Sequence, residues 1–264
     1  MLSNLWQLFR CRGLIQILVA RELKARYRGS VLGFFWSFVN PLLLLLVYSF
    51  VFTVIIQRGE IVDLEPYAVF LFCGLLPWTW FSASLSEGAN ALLVGGNLIK
   101  KVKFPAEILP VVAVVSNMIH FVFGLPILFG FLWFYAIPLR LTELVWFPVV
   151  MAVQFILTLG LVMVLAALTV HFRDIKDLLA NLLTLWFFAT PIIYPMSVVP
   201  PRGKAFMDLN PFSHLAISYQ EILFYDGPFG HWKWLLALAV AGAVLFLLGY
   251  WLFDRLRDSF ADEV

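Results

Sequence analysis

The chain has 264 residues, 62% of them hydrophobic and 13% charged, with a formal net charge of +2. A soluble domain is roughly half apolar and about a quarter charged, and a chain of this size cannot hide so much apolar surface from water. A soluble enzyme, a disordered protein and a secreted disulfide scaffold are therefore excluded, and a polytopic membrane protein remains. The near-balanced charge gives no reason to expect a nucleic-acid partner. Cys11 lies among basic residues and Cys73 in an apolar run. They read as unpaired and imply neither a disulfide nor a metal site.

Residues 1–28 come first. Leu5, Leu8, Cys11, Ile15 and Leu18 recur at helical spacing, while Arg21, Lys24 and Arg28 share another face. Arg26 belongs to the same basic stretch. This charge density argues against a signal peptide. It fits an amphipathic helix lying in the headgroup layer, or positive charge that only sets topology. Gly29 and Gly33 then form a small-xxx-small pair, a spacing that allows close helix packing.

Six stretches carry no Asp, Glu, Lys or Arg: 29–57, 66–86, 108–139, 144–172, 178–201 and 234–253. Each is long enough for the roughly 20 apolar residues that a helix needs to cross the hydrocarbon. A barrel strand needs only about 10 alternating residues, so these are helices. The expected spans are 29–57, 66–86, 108–134, 144–170, 178–197 and 234–253. With the N-terminus inside, thirteen of the eighteen Lys and Arg fall on the cytoplasmic side, which places both termini in the cytoplasm. The whole chain, 1–264, reads as one transmembrane domain without a soluble insertion.

Between spans two and three, the segment 94–104 reads Val-Gly-Gly-Asn-Leu-Ile-Lys-Lys-Val-Lys-Phe, followed by Pro105. The glycines break the second span, Asn97 can cap a short helix, and Pro105 suits the start of the third span. Leu98, Ile99 and Val102 are then exposed at the inner surface, ringed by Lys100, Lys101 and Lys103. Exposed apolar residues in a charged rim suit a protein partner; the alternative is a loop that touches only lipid. The next inner connection holds Arg173 and Asp174, charges that pair locally or with a partner.

The outer segment 198–233 is the longest connection. Asn210 and Pro211 have the pattern of a helix cap and first helical residue. Phe212, Leu215, Ala216, Tyr219, Ile222 and Leu223 follow at helical spacing. The stretch 200–228 is thus one or two short outer helices, either a gate over a translocation path or an anchor for the last two spans. Trp36, Tyr48, Phe52 and Tyr194 sit in or near the spans; their rings suit stacking on sugars, belt positions or ordinary packing.

The sequence has no GxxxxGK[ST], HExxH or GxSxG motif. The chain has no P-loop of its own, so it is not expected to be an enzyme. Ion-coupled carriers place carboxylates in mid-span; the six stretches hold none, and His120 is the one titratable candidate deep in a span. A pore without an energy source points to a separate subunit that supplies it.

Several runs together carry a family resemblance: Arg21-Glu22-Leu23-Lys24-Ala25-Arg26-Tyr27-Arg28-Gly29-Ser30-Val31-Leu32-Gly33 with Trp36 and Asn40-Pro41; Asn97 through Pro105; Phe172-Arg173-Asp174-Ile175; Pro191-Ile192-Ile193-Tyr194-Pro195; and Asn210-Pro211. In order and spacing the chain resembles the membrane permease subunits of ABC exporters for O-antigen, capsule and teichoic acid. The resemblance implies an all-α polytopic protein of the bacterial inner or plasma membrane with six transmembrane helices, an N-terminal amphipathic interface helix (1–28) and short outer gate helices (200–228) between spans five and six.

The same resemblance implies a homodimer joined to two ATP-binding subunits. ATP and Mg are bound by those partners, with no cofactor in this chain, and the substrate is an undecaprenyl-linked polysaccharide. The segment 94–104 matches the coupling helix, so Asn97, Leu98, Ile99, Lys100, Lys101, Val102 and Lys103, supported by Arg173 and Asp174, are expected to meet the ATPase. Arg21, Lys24, Arg26 and Arg28 are candidates for the lipid phosphate and the interface. Trp36, Tyr48, Phe52 and Tyr194 are candidates for the glycan path, and Asn210, Pro211, Phe212 and Tyr219 for the outer gate. Competing classes are a stand-alone secondary transporter or lipid scramblase, a drug-type ABC permease and an intramembrane enzyme.

Overall fold

The structure, a computed structural model, describes residues 10–51, 55, 66–101 and 104–263. The helices in chain order are α1 (Arg12–Arg26), α2 (Trp36–Phe50), α3 (Tyr67–Val94), α4 (Gly96–Lys101), α5 (Ile108–Phe134), α6 (Leu141–Leu144), α7 (Trp146–His171), α8 (Ile175–Phe188), α9 (Pro201–Asp208), α10 (Pro211–Leu223), α11 (Trp232–Leu256) and α12 (Phe260–Glu263). No strand occurs among the described residues.

Four helices, built on α3, α5, α7 and α11, are long and apolar enough to cross a membrane, and α2 is a shorter apolar helix. The expected fifth span, 178–197, is not continuous: α8 ends at Phe188. Its 14 residues rise about 21 Å at about 1.5 Å each, against a hydrocarbon thickness of roughly 30 Å. Pro191 explains the stop, because it lacks an N–H and its ring clashes with the preceding turn. The second helix runs longer than expected, to Val94. Glu87 does not end it, since Arg26 and Asn117 meet its carboxylate.

Three local expectations change. Gly29 and Gly33 have φ of +81° and +48°, and a Cβ on either would meet nothing within 4 Å. They turn the chain from α1 into α2 in a backbone region that favours glycine, and among the described residues they form no packing seam. Asn97 lies inside α4, which starts at Gly96, so it is no cap. Pro105 sits in a turn whose carbonyl receives the Ile108 N–H at 3.1 Å, and the third span starts at Ile108.

The close-approach seam lies elsewhere, between α7 and α11. A Cβ on Gly160 would fall 2.7 Å from the Phe246 backbone nitrogen, and one on Gly249 would fall 2.7 Å from the Gly160 carbonyl oxygen. Small residues let two backbones approach where lipid supplies no hydrophobic drive. The α3 helix forms the centre, buried through most of its length and packed against α5, α7, α8 and α10.

The α10 helix enters this centre. Its Phe212 ring lies 4.7 Å from Phe81 and 5.0 Å from Trp78, near the middle of α3. Just beyond its other end, Phe224 lies 5.5 Å from Phe70, near the start of α3. The helix is therefore packed inside the bundle, and the break between α8 and α10 must satisfy its buried backbone within the protein. Asn210 does most of this. Its side-chain oxygen accepts from Trp186 Nε1 at 2.7 Å and from the Phe212 N–H at 3.0 Å. Its amide donates to the Ala189 carbonyl at 3.1 Å and to Thr190 Oγ1 at 3.0 Å. Gln220 Nε2 donates to the Pro191 carbonyl and Tyr67 OH to the Ile193 carbonyl, both at 2.9 Å.

Asn210→Ala strands the indole N–H of Trp186 and the carbonyl of Ala189 together. At about 1–2 kcal/mol for each buried group left unpaired, the expected loss is about 2–4 kcal/mol. It should appear as an earlier thermal transition in detergent, and a variant that melts with the wild type would contradict the assignment.

Candidate functional site

The C-terminal ends of α3, α7 and α11 lie on one face of the bundle, together with α4 and the 172–174 connection. Gly95 ends α3, and a Cβ there would sit 2.4 Å from Leu109 Cδ1. This close approach folds α4 back onto the bundle. Asn97 and Lys100 remain exposed, and Val94 is 82% exposed. Leu98 and Ile99, expected at the surface, are half-buried and pack against the core. Nothing is described of the Lys101 side chain, and Val102 and Lys103 lie outside the described residues. Arg173 and Asp174 are exposed, Asp174 at the N-cap position of α8, with Phe172 63% exposed beside them. The α12 helix touches both α4 and α7 and so joins the two parts of this face.

A second constellation surrounds the end of α1. Leu18 and Val19 of α1 pack against Ile108 and Val112 of α5. Arg26 donates to Asn117 Oδ1 at 3.1 Å and pairs with Glu87, while Glu22 lies 4.0 Å away. Asn117 donates to Glu87 Oε2 at 2.7 Å. One residue on, Tyr27 OH meets Ser37 Oγ at 2.6 Å and His120 Nδ1 at 3.2 Å. Arg26, Tyr27, Ser37, Asn117 and His120 border a cleft of about 170 Å³ that also takes in Trp36, Asn40 and Thr79. The indole N–H of Trp36 donates to Ser30 Oγ at 2.9 Å. Of the four basic candidates, Arg26 is thus held by carboxylates, whereas Arg21, Lys24 and Arg28 are exposed. Tyr48 and Tyr194 flank the end of α8, the first 5.7 Å from the Phe187 ring and the second donating to the Phe188 carbonyl at 2.7 Å. Phe52 lies outside the described residues.

The third constellation lies at the opposite face. Asn210 caps α10 and Pro211 opens it, as their order predicts. Phe212 and Tyr219 are fully buried, Tyr219 with its ring 5.6 Å from Phe147 and 6.1 Å from Phe121. The exposed part of this region is α9, where Phe206 is 64% exposed, with Leu209 just beyond at 83%. His214 Nε2 donates to the Asp208 carbonyl at 2.9 Å, so its Nδ1 accepts from His231 Nε2 at 3.0 Å. The other nitrogen of His231 faces Glu221 Oε1 at 3.5 Å, and Glu221 Oε2 accepts the Gly230 and His231 N–H groups. Burial pushes His214 below the usual histidine range. Burial raises Glu221, but the His231 ring and two backbone N–H groups outweigh it and hold the carboxyl low. Arg140 pairs with Asp226 at 3.6 Å and Glu143 accepts the Phe229 N–H at 2.8 Å, which ties the 134–146 connection to this region.

Sequence reasoning did not foresee the Glu87–Arg26–Asn117 and His214–His231–Glu221 groupings. A signal for the first was present: Asn117 and His120 stand three apart in a charge-free stretch, and Glu87 follows directly on another. Polar residues in such places face protein.

A family model described as ABC-2 type transporter matches residues 13–224. The O-antigen export system permease protein RfbA of Myxococcus xanthus is 42% identical over 260 residues, 98% of each chain. The protein of that name from Klebsiella pneumoniae is 30% identical over 259 residues, 98% of this chain and 96% of its own. The polysialic acid transport protein KpsM of Escherichia coli is 23% identical over 209 residues, 78% of this chain and 80% of its own.

Since folding lowers the proton affinities of His214 and Glu221, the unfolded chain binds more protons in acid. Their contribution is complete above the unfolded histidine pKa of about 6.5 and declines as the pH falls below it. The thermal transition in detergent should drop between about pH 7.5 and pH 5.5, with a shallower drop in His214→Gln. Equal slopes in the two proteins would contradict the reading.

Proposed function

Because this chain belongs to the ABC-2 type transporter family, we propose that it is the permease subunit of an ATP-driven exporter of a lipid-linked cell-surface polysaccharide. The observation that carries this is its full-length likeness to O-antigen export permeases, at 42% identity for the Myxococcus xanthus protein. Two copies form the channel in the bacterial inner membrane, and two partner subunits bind ATP and Mg and hydrolyse the nucleotide. The α4 face is cytoplasmic, as are both termini. The six-span topology is completed by α2 and by α8, which crosses the outer leaflet through the turn at 189–194.

The exposed edge of α4, Asn97 and Lys100, with Lys101, Val102 and Lys103 following, docks on the ATPase. Arg173, Asp174 and the exposed Phe172 widen the contact. Leu98 and Ile99 act from the inner side: they seat α4 on the bundle, so a push on α4 reaches α3 and α5. Arg21, Lys24 and Arg28 attract the phosphate end of the carrier lipid, since cations suit phosphate oxygens. Arg26 works differently and, through Glu87 and Asn117, keeps α1 at a fixed angle to the spans. Trp36, Tyr48, Phe52 and Tyr194 offer ring faces to sugars along the path. At the outer face, Asn210, Pro211, Phe212 and Tyr219 make α10 the fixed half of the gate, and the exposed α9 is the half that swings.

Replacing Asn97 and Lys100 together with Glu tests the docking edge without disturbing the buried side of α4. The variant should insert and melt as the wild type does but retain at least about tenfold less ATPase subunit on purification, a loss of roughly 1.4 kcal/mol or more. Undiminished co-purification and export would remove α4 from the contact.

A further inference from the structure

Glu107 is the least ordinary charge in the molecule. It occupies the N-cap position of α5, yet its side chain makes no capping hydrogen bond. It is only 2% exposed, and neither carboxylate oxygen has a hydrogen-bond partner among the described residues. Its counter-charge is Arg257, whose Nη1 lies 3.7 Å away. Arg257 opens the turn Arg257–Ser259 that follows α11. Three residues on, Phe260 is fully buried, its ring 5.0 Å from Phe253 of α11 and 6.3 Å from the His171 ring at the end of α7. Ser259 Oγ lies 3.4 Å from His171 Nε2.

A buried acid kept only for stability is a poor choice. Hydrophobic residues of similar volume often serve as well as a buried ion pair or better, and a single missing partner leaves an uncompensated charge. The attested use of such pairs is to hold two elements in one register. Here the two elements are the connection from α4 to α5, a few residues beyond the docking helix, and the C-terminal hook of α11. The glycine seam locks α11 to α7 in turn.

We propose that Glu107 and Arg257, with Phe260 set into the core beside them, form a strut that carries movement of α4 into the α7–α11 pair. They are positioning residues for coupling and touch neither nucleotide nor substrate. The inference rests on the docking role of α4 given above and adds a route for the force. Without the strut, a push on α4 reaches α7 and α11 only through the packing of α3, α5 and α12.

Hydrogen exchange on the purified full chain reads the strut without any partner. Glu107→Gln and Arg257→Gln should each speed exchange at least about fivefold in both 96–101 and 257–263, because Arg257→Gln leaves the buried Glu107 carboxylate alone and Glu107→Gln removes the charge that holds the partly exposed Arg257 in place. A response confined to the mutated side overturns the strut. Reconstitution with the ATPase subunit and a fluorescent undecaprenyl-diphosphate oligosaccharide reads its role. The single variants should hold the ATPase but move at least about tenfold less glycan per ATP hydrolysed, and the swapped pair Glu107→Arg with Arg257→Glu should recover most of the loss. A ratio that stays at the wild-type value, or that the swap does not restore, overturns the proposal. So does export that falls only in step with the melting temperature, since that is a purely structural role. Failure of the wild-type chain to hold the ATPase at all strikes the docking reading, and the exchange result still decides the strut.

Discussion

In hydrocarbon no water stands ready to satisfy a broken helix, and this constraint shapes the protein more than any other. The chain breaks after Phe188 and resumes as a helix at Pro211 inside the bundle. The buried turn that follows α8 must find its hydrogen bonds within the protein. Asn210 serves the end of α8 and the start of α10 at once, and Gln220 and Tyr67 cover the carbonyls of Pro191 and Ile193. The packing of Phe212 and Tyr219 in the centre follows from this closure. The same logic recurs at Pro77 inside α3, whose carbonyl accepts from Gln154 Nε2 at 2.9 Å.

Charge is used sparingly and near the ends of the spans. Glu87 sits close to the end of α3 and is met by Arg26 and Asn117, which fastens α1 to two long helices. Glu107 and Arg257 fasten the start of α5 to the end of α11 on the same face. The His214–His231–Glu221 chain fastens α10 to the start of α11 on the other. The first two ties join elements distant in sequence and the third joins neighbours, and between them the interior is held by apolar packing and by the glycine seam of α7 and α11. That division suits a machine whose helices move as bodies and whose ends take up the force.

Much of this was legible beforehand, for physical reasons. Long charge-free stretches favour helices in lipid, and α5 (Ile108–Phe134) falls inside the charge-free stretch 108–139. Asn210 followed by Pro211 signals a helix start in any setting, and it is one here. What could not be read were contacts across the bundle. Spacing alone makes Gly29 and Gly33 look like a packing pair, yet their positive φ makes them turn residues, while Gly160 and Gly249, 89 positions apart, form a seam between α7 and α11. Their place in a short basic segment between two spans made Leu98 and Ile99 look exposed; the close approach at Gly95 turns them inward. A charge-free window also ends too early when its boundary acid is paired, as with Glu87 and α3.

The proposed function joins a six-residue helix on one face to the buried α10 toward the other through the body of α3. Its central claim is that this chain moves a lipid-linked polysaccharide only when a partner hydrolyses ATP. The most direct measurement is translocation of a fluorescent undecaprenyl-diphosphate oligosaccharide in vesicles that hold the purified chain with its ATPase subunit. The account predicts movement that needs both subunits and hydrolysable ATP, with ATP turnover that rises when the glycan is present. Movement by the chain alone in ATP-free vesicles would contradict it.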